Sequence, residues 1–241
     1  MRETNHARYL VIPELEIAGR AHFFGLKATF KKNSGGAVSF NGTSVVTAKQ
    51  VHQDRVLVLE GQVRDQEMWL AQDDVGNDAI VTCGEGFFVG VYTADCLPVL
   101  LMDPKEKVVA AVHAGWRGSL LRVVVKAAQE MILKMGCQPG HLLAAMGPSI
   151  GPCCYEVGSQ VLGPLLKLYP RETHVARLKK NGKGMLDLVE LNRCQLLEIG
   201  LRDENLYAVG LCTYCHADLF SSYRREGKGT AGMLSGIMCT G

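Results

Sequence analysis

Two short segments hold the residue types from which a reactive centre can be built. Ala94-Asp95-Cys96-Leu97 places a carboxylate beside a thiol, and His113-Ala114-Gly115-Trp116-Arg117-Gly118 places an imidazole near a guanidinium. The first segment precedes an apolar run and the second ends one. Leu97–Met102 and Lys107–Val112 flank Asp103-Pro104-Lys105-Glu106, a turn with proline at its second position. The two runs therefore read as a hairpin buried on both faces. Cys96 starts one arm and His113 ends the other, so antiparallel pairing brings thiol and imidazole together.

Such a pair has three readings. It is two unrelated half-buried residues, a nucleophile with its base, or two ligands of a zinc site that takes a third from elsewhere. His52, in Lys49-Gln50-Val51-His52-Gln53 at the end of an apolar strand, is available as that third ligand. A His-Cys-His set leaves one tetrahedral position open, the arrangement of catalytic rather than structural zinc. Gly115 and Gly118 let the backbone approach a neighbour closely. Asp95 either orients a ligand, takes part in acid–base chemistry or caps a turn.

Other groups are less specific. Cys212-Thr213-Tyr214-Cys215-His216 fits the haem-attachment spacing, but the start of the chain has no apolar run of signal-peptide length. These residues are expected to be structural or near the substrate, neither haem-bound nor disulfide-bonded. Cys153-Cys154 follows Gly147-Pro148-Ser149-Ile150-Gly151-Pro152 and reads as a tight turn packed with small residues. Tyr223-Arg224-Arg225 precedes a glycine-rich turn; paired arginines fork onto phosphate or carboxylate, or form a solvated charge cluster. Arg117, opening a helix near His113, is a second candidate anion contact.

These residues need a scaffold. Strands are expected at Tyr9–Pro13, Ala21–Phe30, Ser44–Val51, Arg55–Glu60, Asn77–Cys83, Gly86–Thr93, His141–Met146 and Leu206–Leu211, and the tail Met233–Met238 is apolar again. Gly61–Asp78 is helix or loop. Gly115–Met135 carries helical periodicity and ends at Gly136. Further helices are expected over about Gly158–Leu168 and from Asp187, with Glu190 three residues on, to Gly200. The reading is one mixed α/β domain over residues 1–241, with strands outnumbering helices.

Composition agrees. The chain has 241 residues, 47% hydrophobic and 21% charged, enough to bury a sizeable core. Twenty-six Lys and Arg against 24 Asp and Glu leave a net charge of +2. That is no footprint of a nucleic-acid binder and supplies no polybasic membrane anchor. No apolar run is long enough to span a bilayer. Nine cysteines are an odd number, too sparse for a disulfide scaffold. A cytoplasmic protein is expected.

Taken together, the motifs resemble the YfiH-type family, described both as polyphenol oxidase (laccase) and as purine nucleoside phosphorylase. The resemblance runs through Lys-Gln-Val-His at 49–52, Thr-Ala-Asp-Cys-Leu-Pro-Val at 93–99 and His-Ala-Gly-Trp-Arg-Gly at 113–118. It continues through Gly-Pro-Ser-Ile-Gly-Pro-Cys-Cys-Tyr-Glu-Val at 147–157, Asp-Leu at 187–188, Cys-Thr at 212–213 and Phe-Ser-Ser-Tyr-Arg-Arg-Glu-Gly at 220–227. It implies an α+β sandwich, a mixed sheet core flanked by helices, of the kind also compared with cysteine-hydrolase toxin domains. It implies zinc at His52, Cys96 and His113, phosphorolysis of adenosine, inosine, guanosine and methylthioadenosine, and deamination of adenosine. Cys96, His113 and Asp95 are then the catalytic candidates. Lys27, Arg117, Tyr223, Arg224 and Arg225 are the candidates for holding substrate and phosphate. Lys27, in Phe23-Phe24-Gly25-Leu26-Lys27, stands where longer members have an arginine. Lysine offers a point charge without the bidentate fork.

Two other chemistries stay open. A multicopper oxidase needs more imidazoles than seven histidines with no His-x-His supply, so phenol oxidation would need copper taken up in place of zinc. A hydrolase would use Cys96 as nucleophile and His113 as base. The expected partners are a small nucleoside and phosphate, with neither nucleic acid nor membrane, for a monomer or weak homodimer.

Overall fold

Side-chain alternation along the central hairpin sets the layers. Leu97, Val99 and Leu101 bury on one side of their strand, and Leu100 and Met102 on the other. Both faces are therefore covered. The computed structural model describes residues 1–3, 8–17, 21–27, 38–59, 75–169 and 174–239.

Along the chain come β1 (Arg2–Glu3), β2 (Arg8–Leu10), α1 (Pro13–Ile17), β3 (His22–Gly25), β4 (Val38–Phe40) and β5 (Thr43–Thr47). Next are β6 (Val56–Leu59), β7 (Ala79–Thr82), β8 (Phe88–Thr93) and the hairpin β9 (Leu97–Asp103) and β10 (Val108–Ala114). Then follow α2 (Trp116–Leu120), α3 (Val123–Met135), β11 (Leu143–Met146), β12 (Glu156–Val157) and α4 (Ser159–Leu168). The rest is β13 (Ala176–Leu178), β14 (Gly184–Leu186), α5 (Leu188–Glu198), β15 (Leu206–Ala208), α6 (Tyr223–Glu226) and β16 (Met233–Met238).

A seven-stranded sheet, ordered β1-β2-β3-β16-β8-β5-β4, lies on a six-stranded sheet, ordered β15-β11-β9-β10-β7-β6. Phe24, Val89, Leu100, Met102, Val109 and Ile237 fill the space between them. The far face of the six-stranded sheet packs on α3 and α5 through Val124, Ala128, Met131, Leu191 and Leu196. A three-stranded sheet, β12-β14-β13, completes the mixed α+β fold. Among the described residues no helix is long and apolar enough to cross a membrane.

The hairpin register is as the sequence requires: His113 pairs with Pro98 and Ala114 with Leu97. Other expectations need correction. The helix read over Gly115–Met135 is two, because Arg122 sits in the left-handed region at φ 62° and breaks it between α2 and α3. Residues 139–141 form a 3-10 turn, so the strand read from His141 starts at Leu143. The strand read over Leu206–Leu211 stops at Ala208. Most of the Gly61–Asp78 reading, and positions 28–30 of the Ala21–Phe30 strand, lie outside the described residues. Gly136 ends α3 with a left-handed φ of 74°, and Asp187 caps α5 by accepting from the Glu190 N–H at 3.1 Å.

Candidate metal centre

His52 stands on a loop between β5 and β6, and that loop is pinned at two places. The Gln50 side chain donates to the Tyr92 carbonyl at 2.7 Å and accepts from the Tyr92 N–H at 2.8 Å. Asp78, immediately before β7, does the rest. Its carboxylate accepts from the backbone N–H groups of Val51 (3.2 Å), His52 (3.0 Å) and Gln53 (2.7 Å). Held in this way, His52 takes a left-handed φ of 58°. Such backbone persists only where its surroundings over-determine it.

The same carboxylate reaches His113. The imidazole Nδ1–H donates to Asp78 Oδ1 at 2.6 Å, both groups being buried. That bond fixes the tautomer and leaves Nε2 as the free lone pair. The ring stands edge-on to His52, with centroids 4.7 Å apart. Ligand atoms of His52, Cys96 and His113 all lie within 4.8 Å of one another.

Electrostatics couple the three. Burial opposes the Cys96 thiolate, but hydrogen bonds and charge from His113 and His52 outweigh it and bring the thiol down to about 7. Burial likewise pulls His113 down, while Asp78 and the Cys96 thiolate push it up to about 9. Asp78 is itself opposed by burial, yet His113 and the loop N–H groups hold its carboxyl below the usual range. Cys96 and His113 thus favour each other's charged forms, and a metal ion bound between them would displace the protons they hold.

The residues fit a zinc ion. One thiolate and two imidazoles are the borderline-soft donors that zinc and copper prefer. The backbone makes room: a Cβ on Gly115 would lie 2.8 Å from Cys96 Sγ and 3.6 Å from His52 Cδ2. A Cβ on Gly118 would lie 3.0 Å from the Gln53 carbonyl, so a larger residue there would press α2 away from the His52 loop. The fourth side of the trio opens into a cavity of about 560 Å³, within the range of small-molecule sites. Tyr92, Trp116, Tyr155, Leu188 and Tyr223 give it apolar walls, and Arg117 and Arg224 bring positive charge. The Arg117 guanidinium stacks on Trp116 at 4.5 Å and that of Arg224 lies 5.3 Å from the Tyr155 ring. Burial foremost, with Cys96 and Asp95 nearby, pushes the Tyr155 phenol up, so it stays a donor.

Of the residues expected from sequence, His52, Cys96, His113, Asp95, Arg117, Tyr223 and Arg224 line this cavity. Asp95 has a left-handed φ of 83°. Its carboxylate accepts from Thr213 Oγ1 (2.5 Å), Ser222 Oγ (3.0 Å) and the Arg224 N–H (2.7 Å), tying the 212–215 loop and the start of α6 to the cavity wall. Those bonds make it a positioning residue. Lys27 and Arg225 do not line the cavity. Lys27 Nζ pairs with Glu226 at 3.2 Å. Arg225 donates to the carbonyls of Thr213 and Tyr214 (2.8 Å each) and Phe220 (2.6 Å), and pairs with Glu226. Its guanidinium is consumed in holding the loop, which corrects its reading as an anion contact. Cys153 and Cys154 stand in the tight turn expected, closed onto the Gly151 carbonyl by the Cys154 N–H at 2.9 Å, and their sulfurs face Cys215.

Asp78, Gln50, Thr213 and Tyr155 were not picked out from sequence. Gln50, Tyr155 and Thr213 lie inside the motifs quoted above without a role assigned to them, and Asp78 is an acidic residue leading an otherwise apolar strand.

A mixed sandwich carries a Cys/His trio, able to hold a metal ion, beneath an aromatic cavity of small-molecule size. The chain belongs to the family described as multi-copper polyphenol oxidoreductase laccase, which matches residues 30–240. A relative named Adenosine deaminase RL5, from an unknown prokaryotic organism, is 36% identical over 199 residues, 80% of this chain and 74% of the relative. The Purine nucleoside phosphorylase of Bacteroides thetaiotaomicron is 38% identical over 166 residues, 68% of this chain and 61% of that protein. The crystal structure of the Bacillus licheniformis hypothetical protein YfiH superposes with a TM-score of 0.82 at 25% identity, covering 98% of each chain. The family is enzymatic, and relatives named for purine nucleoside chemistry support a nucleoside-processing role.

Proposed function

We propose that this chain is a zinc-dependent purine nucleoside phosphorylase that also deaminates adenosine. The observation that carries the reading is the His52–Cys96–His113 trio, oriented by Asp78 and open to a cavity walled by aromatic rings with Arg117 and Arg224 beside it. A zinc ion at the trio would polarise the purine or lower the pKa of a water.

The chain's own groups account for the rest. Tyr92, Tyr155 and Tyr223 offer faces and edges to a purine ring. Arg117 and Arg224 bring positive charge to neutralise phosphate and orient one of its oxygens toward C1′ of the ribose. In phosphorolysis that oxygen bonds to C1′, the C1′–N9 bond breaks, and its electron pair leaves on the base, which takes a proton. The Tyr155 phenol, which burial keeps protonated, can hydrogen-bond the departing base, and the proton the base takes comes from water. Deamination replaces the 6-amino group by oxygen from water, releases ammonia and needs no phosphate. Adenosine, inosine, guanosine and methylthioadenosine are the proposed nucleosides, processed in the cytoplasm by a monomer or weak homodimer.

The test is metal analysis of protein purified without added metal, followed by adenosine assays with and without phosphate. Adenine formed only with phosphate means phosphorolysis. Inosine formed without phosphate means deamination. A chain that does neither overturns the reading.

One observation favours a second reading. Cys96, His113 and Asp78 also have the order of a nucleophile–base–orienter triad, with a thiol near 7. His52, aimed at the same sulfur, has no part in such a triad and favours the metal. Stoichiometric zinc decides between them, because a zinc-bound thiolate is a poor free nucleophile. Copper in place of zinc would account for the laccase description of the family.

A further inference from the structure

Beyond this centre, four more thiols meet. Ser149 bridges Cys212 in parallel fashion, and the Thr213 N–H donates to the Ser149 carbonyl at 3.0 Å. This seam lays the 149–154 loop along the 212–215 loop. Cys215 Sγ then lies 3.4 Å from Cys154 Sγ and 3.7 Å from Cys153 Sγ. Cys212 completes the group, and all the sulfurs lie within 4.8 Å of one another.

We propose that Cys153, Cys154, Cys212 and Cys215 form a structural tetrathiolate site for one zinc ion, separate from the His52–Cys96–His113 trio. Three observations support it. First, with Zn–S bonds of 2.3 Å a tetrahedral sulfur shell has edges of about 3.8 Å, and Cys215 Sγ stands 3.7 and 3.4 Å from the sulfurs of Cys153 and Cys154, near that spacing. A disulfide joins sulfurs two by two, whereas Cys215 here addresses both members of the vicinal pair. Second, Cys212 and Cys215 have the C-x2-C spacing in which backbone N–H groups turn toward the first sulfur. The Gly151 N–H donates to Cys212 Sγ at 3.2 Å, and the Cys215 N–H points to the same atom. Third, the charge is answered locally. Four thiolates leave a zinc site two charges negative, and the Arg225 guanidinium is bonded to the carbonyls of Thr213 and Tyr214 inside the loop.

The room is specific as well. A Cβ on Gly151 would lie 3.2 Å from Cys212 Cβ and 3.4 Å from Cys153 Sγ. Zinc here would staple the loop carrying Tyr155 to the loop whose Thr213 holds Asp95, and so set the shape of the cavity wall from outside it. The proposal is independent of the nucleoside reading.

The test counts zinc on the full chain purified without added metal, in the Cys96→Ser variant, which leaves all four cysteines in place. One zinc per chain is expected to remain, and cobalt(II) exchanged into it should give the intense thiolate-to-metal absorption of a four-sulfur site. Adding Cys154→Ser and Cys215→Ser should bring the count to zero. If that variant does not fold, titrating folded Cys96→Ser with a mercurial gives the same answer. One zinc should be freed as peptide mapping finds Cys153, Cys154, Cys212 and Cys215 modified. A zinc-free Cys96→Ser chain, iron in place of zinc, or a disulfide among the four that persists in reducing buffer overturns the proposal.

Discussion

Asp78→Asn is the most informative single change, because the two sides of this carboxylate face only donors. Oδ2 accepts from Val51 and Gln53, and Oδ1 accepts from His52 and from His113 Nδ1. An asparagine has one oxygen to offer, so its NH2 must face one of these sets. If it faces His113, it donates to Nδ1, the imidazole proton moves to Nε2, and the ligand lone pair is lost. If it faces Val51 and Gln53, two buried N–H groups lose their acceptor, each costing about 1–3 kcal/mol, and the His52 loop loosens. Either way a ligand is misplaced at nearly unchanged volume. Loss of such an outer partner weakens metal binding by about 10–100-fold, roughly 1.4–2.7 kcal/mol. The assay is competition for zinc against a chromophoric chelator at pH 7.5, on protein whose circular dichroism matches wild type. Nucleoside turnover at saturating zinc is measured alongside. A folded Asp78→Asn chain that binds zinc as tightly as wild type would refute both the tautomer argument and the metal assignment of His113.

Arg117→Ala and Arg224→Ala are expected to raise the phosphate KM and lower phosphorolysis by more than about tenfold, about 1.4 kcal/mol, while deamination changes less; equal loss of both activities would move the phosphate elsewhere. Arg225→Ala should instead lower the melting temperature, since it frees the Thr213, Tyr214 and Phe220 carbonyls, and a phosphate-specific defect would contradict that. Gly115→Ala, at an ordinary φ of −73°, should drive a methyl into Cys96 Sγ and remove the zinc without unfolding the chain, as read by metal analysis and calorimetry. Lys179 and Lys183 hold the Glu156 carboxyl down at about 2. The stability it gives the β12-β14-β13 sheet is therefore full above the usual value of 4.5 and lost as pH falls through 2. Hydrogen exchange over residues 176–186 should quicken in that window in wild type and show no such step in Glu156→Gln.

The hairpin shows why part of the site was legible. Its turn, its apolar arms and the identities of its ends are all local, so the meeting of Cys96 and His113 needed nothing beyond antiparallel pairing. The break between α2 and α3 was not legible, because the apolar spacing runs through Arg122 and only the approach of α2 to the His52 loop asks for the turn. Asp78 stayed hidden for a different reason: its partners come from another loop and a neighbouring strand. Arg225 misled for the converse reason. Paired arginines look like an anion site until the carbonyls that consume one of them are brought alongside by folding. The four sulfurs, too, are assembled only by the Ser149–Cys212 bridge; one half reads alone as a tight turn and the other as a Cys-x2-Cys-His spacing with no partner in sight.

The position of β16 governs the order in which the molecule can be completed. Met233–Met238 lies in the middle of the seven-stranded sheet, bonded on one side to His22–Gly25 and on the other to Phe88–Thr93. Until it is synthesised, both neighbours present unpaired edges, and unpaired edges recruit other chains. The six-stranded sheet can assemble earlier, with the Cys96–His113 hairpin at its heart, and it then waits for its covering layer. Gly232, at the entrance to this strand, lines the cavity. The ligand residues and the cavity's lining all precede this strand in the sequence, and pairing β16 with β3 joins segments far apart along the chain. Contacts of such long range slow folding.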